Sequence, residues 1–335
     1  MSAFTCNKCS GSFESRNKLF KHVKTCGDEP AAAPAPAIAA APLVVAPGTY
    51  LYVTGGRYRG RTLSSVERYR PLDNVWERCP SLQEGRGSHG CAAVNGTLFA
   101  IGGGGFHSNL ASCEAFDGSA WKSIAPAPTV RHALTVVETP AMVYALGGWM
   151  DGSACSNAFE SYNPAEDVWT QLPVMGTARR LLGAVAFDDK IYAFGGNCDD
   201  PHWFTNRAEV FDLKTSKWKY ISDVPASGEM SAVVVNGVMF VLVHGNFIYR
   251  YDPAADKYQQ LNPLPLPEWF CFDTAVMGDS IIAYGGASVG KWSSRAFRYD
   301  TISGTWIELA EMTTCRRRCG GAVVQHPVAE PTVAP

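Results

Sequence analysis

The sequence predicts an all-β chain, most of it a radial array of six small antiparallel sheets, and three observations carry that prediction. Short apolar strands run into a glycine pair or its remnant six times, at Gly55, Gly102, Gly147, Gly195, Val243 and Gly285, at intervals of 47, 45, 48, 48 and 42 residues. A Trp or Tyr follows each of these turns by 15 to 23 residues. The two ends of the array carry complementary half-units. Self-similarity at this period marks units that bury their faces against their neighbours rather than one globular core.

Within a unit the elements follow one order. An apolar first strand such as Gly183-Ala184-Val185-Ala186-Phe187 meets a polar turn, Asp188-Asp189-Lys190. A second strand, Ile191-Tyr192-Ala193-Phe194, ends in Gly195-Gly196. After a variable loop, a third strand ends on an aromatic, at Tyr69, Phe116, Tyr162, Phe211, Tyr251 and Tyr299. A turn rich in Asn, Asp, Pro and Gly leads to a fourth strand carrying Trp76, Trp121, Trp169, Trp218, Tyr258 and Trp306. Four short strands with turn signals between them make one twisted antiparallel blade. Glycine pairs let backbones approach closely, and the large aromatics fill the wedge between blades. The chain enters the array at Thr49-Tyr50-Leu51-Tyr52-Val53-Thr54, a second-type strand without a first. It leaves at Gly321-Ala322-Val323-Val324, a first-type strand without a second. Joining the two completes one blade and removes exposed sheet edges, which sets the expected count at six.

This pattern of Gly-Gly, Tyr and Trp in register resembles the Kelch repeat over residues 48–326. The resemblance implies a six-bladed Kelch-type β-propeller closed by its N- and C-terminal strands. The fifth unit departs from the pattern, with Val243-His244-Gly245 for the glycine pair and Tyr258 for Trp.

Ahead of the array, residues 1–26 form a small basic unit, residues 27–47 an Ala/Pro-rich disordered spacer, and residues 327–335 a flexible tail. Cys6-x2-Cys9, twelve residues, then His22-x3-Cys26 is the spacing of a tetrahedral zinc site. Phe13 and Leu19 fall where a ββα finger places its core, and the segment resembles a C2H2-type zinc finger in a Cys-Cys-His-Cys variant. So short a segment builds no core, so zinc is the expected cofactor and the source of its folding energy. The resemblance carries the finger's base-reading positions onto Ser15, Lys18 and Lys21, so nucleic acid is a possible partner there; a second protein is the alternative.

The formal charge of −2 excludes binding polyanions by bulk electrostatics. No apolar run is long enough to span a membrane. Eleven cysteines without an export signal point to a reducing compartment, so the expected location is cytoplasmic or nuclear.

Propellers of this type bind partners at one end, through the loops at the rim and channel mouth. Counting back sixteen residues from the glycine pairs gives Arg86, Arg131, Arg179, Ser227 and Trp269; counting four back from Gly321 gives Arg317. Arg57 follows the first glycine pair. Arg86, Arg131, Arg179, Arg317, Arg57 and Trp269 are the expected partner-binding set; Arg180, Arg316, Arg318, His89 and His132 lie beside them in the sequence. The set suits an acidic or phosphorylated segment, although Arg at this position also serves to cap turns or to pair with a carboxylate. The expected function is a non-enzymatic adaptor or scaffold that binds a protein through the propeller. Two alternatives stay open: a nucleic-acid-associated regulator acting mainly through the finger, and a metabolite-acting enzyme in the channel. For the last, His244, Glu229 and Asp273 are isolated candidates that form no recognisable constellation. Cys315-x3-Cys319 beside three arginines is the one candidate reactive thiol pair.

Overall fold

A computed structural model describes residues 4–5, 12–13, 43–105, 108–151, 154–199, 203–245 and 247–326. The chain divides into two units, Met1–Ala40 and Ala41–Pro335. In the first, Phe4–Thr5 pairs antiparallel with Ser12–Phe13. Cys6, Cys9, His22 and Cys26, the expected zinc ligands, lie outside the described residues, as do Ser15, Lys18 and Lys21.

All regular structure described in the second unit is β. Among the described residues its main sheets are five four-stranded antiparallel ones and a sixth in which Lys291–Trp292 adds a short fifth strand to the same four, beside smaller two- and three-stranded pairings. Sheet one orders its strands Gly320–Gln325, Thr49–Thr54, Val66–Arg70 and Val75–Cys79, so the two ends of the array share one sheet. Sheets two to six begin with Gly90–Val94, Thr135–Glu138, Gly183–Phe187, Met230–Val235 and Trp269–Met277, and each runs through its strands in chain order. The first strand of each sheet packs on the first strand of the next, and that of sheet one packs on those of sheets six and two, which closes the ring.

Local chemistry explains the register. Second strands are buried on both faces: all four residues of Val143–Leu146 are buried, so they read as an unbroken apolar run. The third-strand aromatic lies directly opposite the fourth-strand one in every sheet, as Tyr69↔Trp76, Tyr162↔Trp169 and Tyr251↔Tyr258. Their ring centroids are 5.2, 5.1 and 4.7 Å apart. Six apolar clusters result, each in the wedge between two neighbouring sheets.

The fourth-strand indoles also tie the sheets together. Trp121 Nε1 donates to the Pro80 carbonyl (2.9 Å), Trp169 to Ala125 (2.9 Å), Trp218 to Pro173 (2.7 Å) and Trp306 to Pro263 (3.0 Å). Trp76 donates to Ala310 (2.8 Å) and so joins sheet one to sheet six. In the fifth sheet the Tyr258 hydroxyl donates to Ser222 at 3.0 Å, which is why Tyr replaces Trp there without loss of the tie.

Candidate functional site at the channel mouth

Each glycine pair meets the segment that enters the next sheet. Gly147 has φ +60°, and a Cβ there would lie 2.3 Å from the Arg179 carbonyl oxygen, so only glycine fits. Gly148 N donates to that same carbonyl at 2.8 Å. The entering segment therefore sits at a fixed depth, and its arginine turns inward.

Arg86, Arg131 and Arg179, expected to face a partner, are buried to within 1% of full coverage. Arg86 Nη2 meets Glu114 Oε1 at 2.6 Å, Arg131 Nη1 meets Glu160 Oε2 at 2.7 Å, and Arg179 pairs with Glu209. Arg86 Nη1 also donates to the carbonyls of Gly102 (2.8 Å) and Ser112 (2.7 Å). The four-residue count to Arg317 is one residue late. Thr54 pairs with Gly320, so the equivalent arginine is Arg316, fully buried, with Nη2 2.6 Å from Glu67 Oε1. These four arginines hold the sheets together and present no guanidinium to a ligand.

The remaining two sheets change both partners at once. Trp269, also expected on the surface, is fully buried in the arginine's place in sheet six and donates through Nε1 to the Gly285 carbonyl at 2.7 Å. Phe297 stands where the other sheets hold glutamate, edge-on to Trp269 with centroids 5.4 Å apart. In sheet five the contact from Gly196 N falls on the Gly228 carbonyl (2.9 Å), so Gly228, not Ser227, is the equivalent residue. Tyr249 holds the glutamate's place there, two residues before Tyr251. The glutamates were missed in the sequence, yet it carries their signal. Glu67, Glu114, Glu160 and Glu209 each precede the third-strand aromatic by two residues, in the same four units that carry arginine.

Two residues past each arginine the backbone closes around the channel. Ser88 N donates to Arg318 O (2.7 Å), Ala133 to Ser88 (2.7 Å), Leu181 to Ala133 (2.9 Å), Met230 to Leu181 (3.1 Å) and Arg318 to Cys271 (3.0 Å). Ser88, Ala133, Leu181, Cys271 and Arg318 take φ between +51° and +57° to do so. The single open step lies between Met230 and Cys271. There the Cys271 N–H goes to His244 Nδ1 at 3.3 Å. His244 replaces the first glycine of its turn, stacks on Phe272 with centroids 4.0 Å apart, and hydrogen-bonds Ser231 Oγ through Nε2 at 3.0 Å.

This neck separates two cavities. Below it lies the channel, about 400 Å³, lined by the first strands of all six sheets. Burial and the charges of Arg86 and Arg316 hold the His89 imidazole well below its ordinary value. Desolvation pushes the Asp273 carboxyl up to about 7 and the Cys91 thiol up to about 12. Cys319, buried beside Asp273, is also raised, so the Cys315–Cys319 segment holds no activated thiol at that position. Glu229 accepts from Arg318 Nη2 at 2.9 Å and lies 3.7 Å from His244 Nδ1. All three enzyme candidates line this channel, but Asp273 accepts from the Tyr284 hydroxyl (3.2 Å) rather than joining the Glu229–His244 pair. No group of three His, Cys, Asp or Glu able to hold a metal occurs among the described residues.

Above the neck is a smaller cavity of about 250 Å³, framed by Arg57, His132, Arg180, Asn197, Arg317 and Arg318. Backbone pairing fixes its walls: Arg57 N donates to Arg317 O (2.9 Å), and Arg180 N to Asn197 O (2.9 Å). Arg180 lies 3.9 Å above the Trp149 ring and Arg317 4.2 Å above Trp292. Arg318 is paired with Glu229, but Arg57, Arg180 and Arg317 have no carboxylate partner among the described residues. Burial and the charges of Arg318 and Arg317 lower the Arg57 pKa, and burial with the charges of Arg57, Arg180 and Arg318 pulls His132 down to about 4. Of the predicted partner residues, Arg57 and Arg317 thus stand at the mouth, joined by Arg180.

The Kelch motif matches residues 40–83, 85–128, 131–176, 178–225 and 269–313. The unmatched stretch between them is the fifth sheet, with Gly228, His244 and Tyr258. Kelch-like protein 35 of Mus musculus is 26% identical over 219 residues, 62% of this chain and 36% of that protein. Kelch-like protein 26 of Danio rerio is 32% identical over 185 residues, 53% of this chain and 30% of that protein. Kelch-like protein 23 of Homo sapiens is 24% identical over 292 residues, 82% and 51%. The chain thus spans between 30% and 51% of the length of these relatives. No helix among the described residues is long and apolar enough to cross a membrane.

Proposed function

We propose, from the premise that the chain belongs to the Kelch-repeat family, that it is a non-enzymatic adaptor whose six-bladed propeller captures a protein partner at the channel mouth. The observation that carries this reading is the trio Arg57, Arg180 and Arg317, with no carboxylate partner among the described residues and with two of the three stacked on Trp149 and Trp292. Like charges gathered in a part-buried cavity repel one another, and an incoming anion relieves that repulsion. The aromatic frame adds apolar contact area around the charge, the usual composition of a binding hot spot. The partner segment is therefore acidic or phosphorylated.

The test is affinity capture with the full chain and with Arg57→Ala/Arg180→Ala/Arg317→Ala. Loss of specific partners with the fold retained supports the reading; an unchanged set of partners overturns it.

The N-terminal segment adds a second module to this proposal. Three thiolates and one imidazole, from Cys6, Cys9, Cys26 and His22, are a donor set suited to a closed structural zinc site. Such a site would fold the segment and present Ser15, Lys18 and Lys21 to nucleic acid or to a second protein. With both modules on one assembly, the tether raises the effective concentration of each.

A further inference from the structure

The mouth cavity is more selective than its charge alone requires. Stacking on Trp149 and Trp292 occupies the faces of the Arg180 and Arg317 guanidinium groups and leaves their in-plane N–H groups available. Among the described residues, Arg180 Nε and Arg317 Nε are buried without a hydrogen-bond partner, and so is Asn197 Oδ1, which lines the same cavity. The glutamate-paired Arg86, Arg131 and Arg316 leave Nε unpaired in the same way, so what sets this cavity apart is the orphan acceptor Asn197 Oδ1 beside guanidinium groups that have no carboxylate partner among the described residues, a combination suited to a polar ligand. Arg57 and Arg317 flank sheet one and Arg180 enters sheet four, and backbone pairing holds both sides, Arg57 with Arg317 and Arg180 with Asn197. A planar carboxylate offers two oxygens and one charge, which one guanidinium fork satisfies. Three guanidinium groups without a carboxylate partner among the described residues match a tetrahedral dianion with three accepting oxygens. The orphan acceptor on Asn197 suits a donor beside that anion, such as the backbone N–H of a peptide.

We propose that the mouth cavity binds a phosphate monoester dianion carried on a phosphorylated side chain of the partner. This rests on the reading of the propeller mouth as the partner site. It also separates the cavity from the ring of Arg86, Arg131, Arg179 and Arg316, whose charges are already met by glutamates.

The test uses the full chain and two probes: inorganic phosphate, and a degenerate phosphoserine peptide pool with its Ser and Glu counterparts. Phosphate should raise the melting temperature and change the tryptophan emission; acetate at matched ionic strength should do neither. The phosphoserine pool should bind about tenfold more tightly than the Glu pool, equivalent to about 1.4 kcal/mol. Phosphate should compete with it. Both effects should vanish in Arg180→Met/Arg317→Met and weaken in Arg57→Ala, whose part-buried side chain makes no hydrogen bond among the described residues, so that the fold should stay intact. Equal binding of the phosphoserine and Glu pools overturns the proposal while leaving an acidic-segment partner site standing. Phosphate binding without any peptide binding overturns it in favour of a small phosphorylated ligand. No response to phosphate overturns it outright.

Discussion

The Trp269 indole lies edge-on to Phe297, centroids 5.4 Å apart, in the positions where four other sheets hold a buried arginine and its glutamate. The exchange is reciprocal: neither member of the ion pair survives without the other. A buried guanidinium without its carboxylate is expensive, whereas replacing both by apolar groups of matching shape costs little. Sheet six shows the pair to be one solution to joining a first strand to a third, and an aromatic pair to be another.

Truncating one partner should therefore be severe. Glu160→Ala leaves Arg131 buried and unpaired, and should destabilise the propeller by about 3–5 kcal/mol, read from the shift in urea midpoint. Arg131→Trp combined with Glu160→Phe, copying sheet six, should cost less than Glu160→Ala. A double variant as damaged as the single one would show that the ion pair is not exchangeable.

Stability should respond to pH through two channel groups of opposite sign. His89 titrates well below 6.5 in the folded chain, so the unfolded chain binds more protons and stability is lost as pH falls below about 6.5. Asp273 is pushed up to about 7 from 3.8, so the folded chain binds more protons and stability falls as pH rises from about 4 to about 7. Urea midpoints should show a shallower acid decline in His89→Gln. Asp273→Asn should gain more at pH 8 than at pH 4. The same gain at both values would contradict the Asp273 assignment.

His244 should act as a backbone acceptor. It takes the Cys271 N–H where the neck lacks a carbonyl. His244→Ala should cost about 1–3 kcal/mol through that unpaired donor. Amide exchange should speed up at Cys271 and not at Ala133, whose N–H is bonded to Ser88. Unchanged protection at Cys271 would remove this role.

The N-terminal zinc proposal is tested by metal content. The full chain should carry one zinc per molecule by elemental analysis, lost in Cys9→Ser, while the melting transition of the propeller stays in place. Retention of zinc by that variant would place the metal elsewhere.

Glycine pairs and aromatic spacing were legible because they are local, and the end strands because each is an incomplete unit of the same local pattern. Each reports a turn conformation or a cross-strand pair within one sheet, and the observed register of Thr49–Thr54 with Gly320–Gln325 joins the ends as the pattern predicts. The binding face was only partly legible. Within the run Arg316-Arg317-Arg318, chain distance does not say which guanidinium turns inward. One is buried against Glu67, one stacks on Trp292 and one reaches Glu229.

By itself the sequence determined an all-β repeat array, its strand order and the aromatic pairs that fill its wedges, since periodicity and turn chemistry act over a few residues. Only the tertiary structure decided which arginines are paired with buried glutamates and which have no carboxylate partner among the described residues. That choice depends on a neighbouring sheet's glycine turn, which sets the depth of the segment, and on a glutamate from a third strand 28 to 30 residues away, or 249 across the closure. Burial demands that those charges be paired, and the ones left over gather at the mouth.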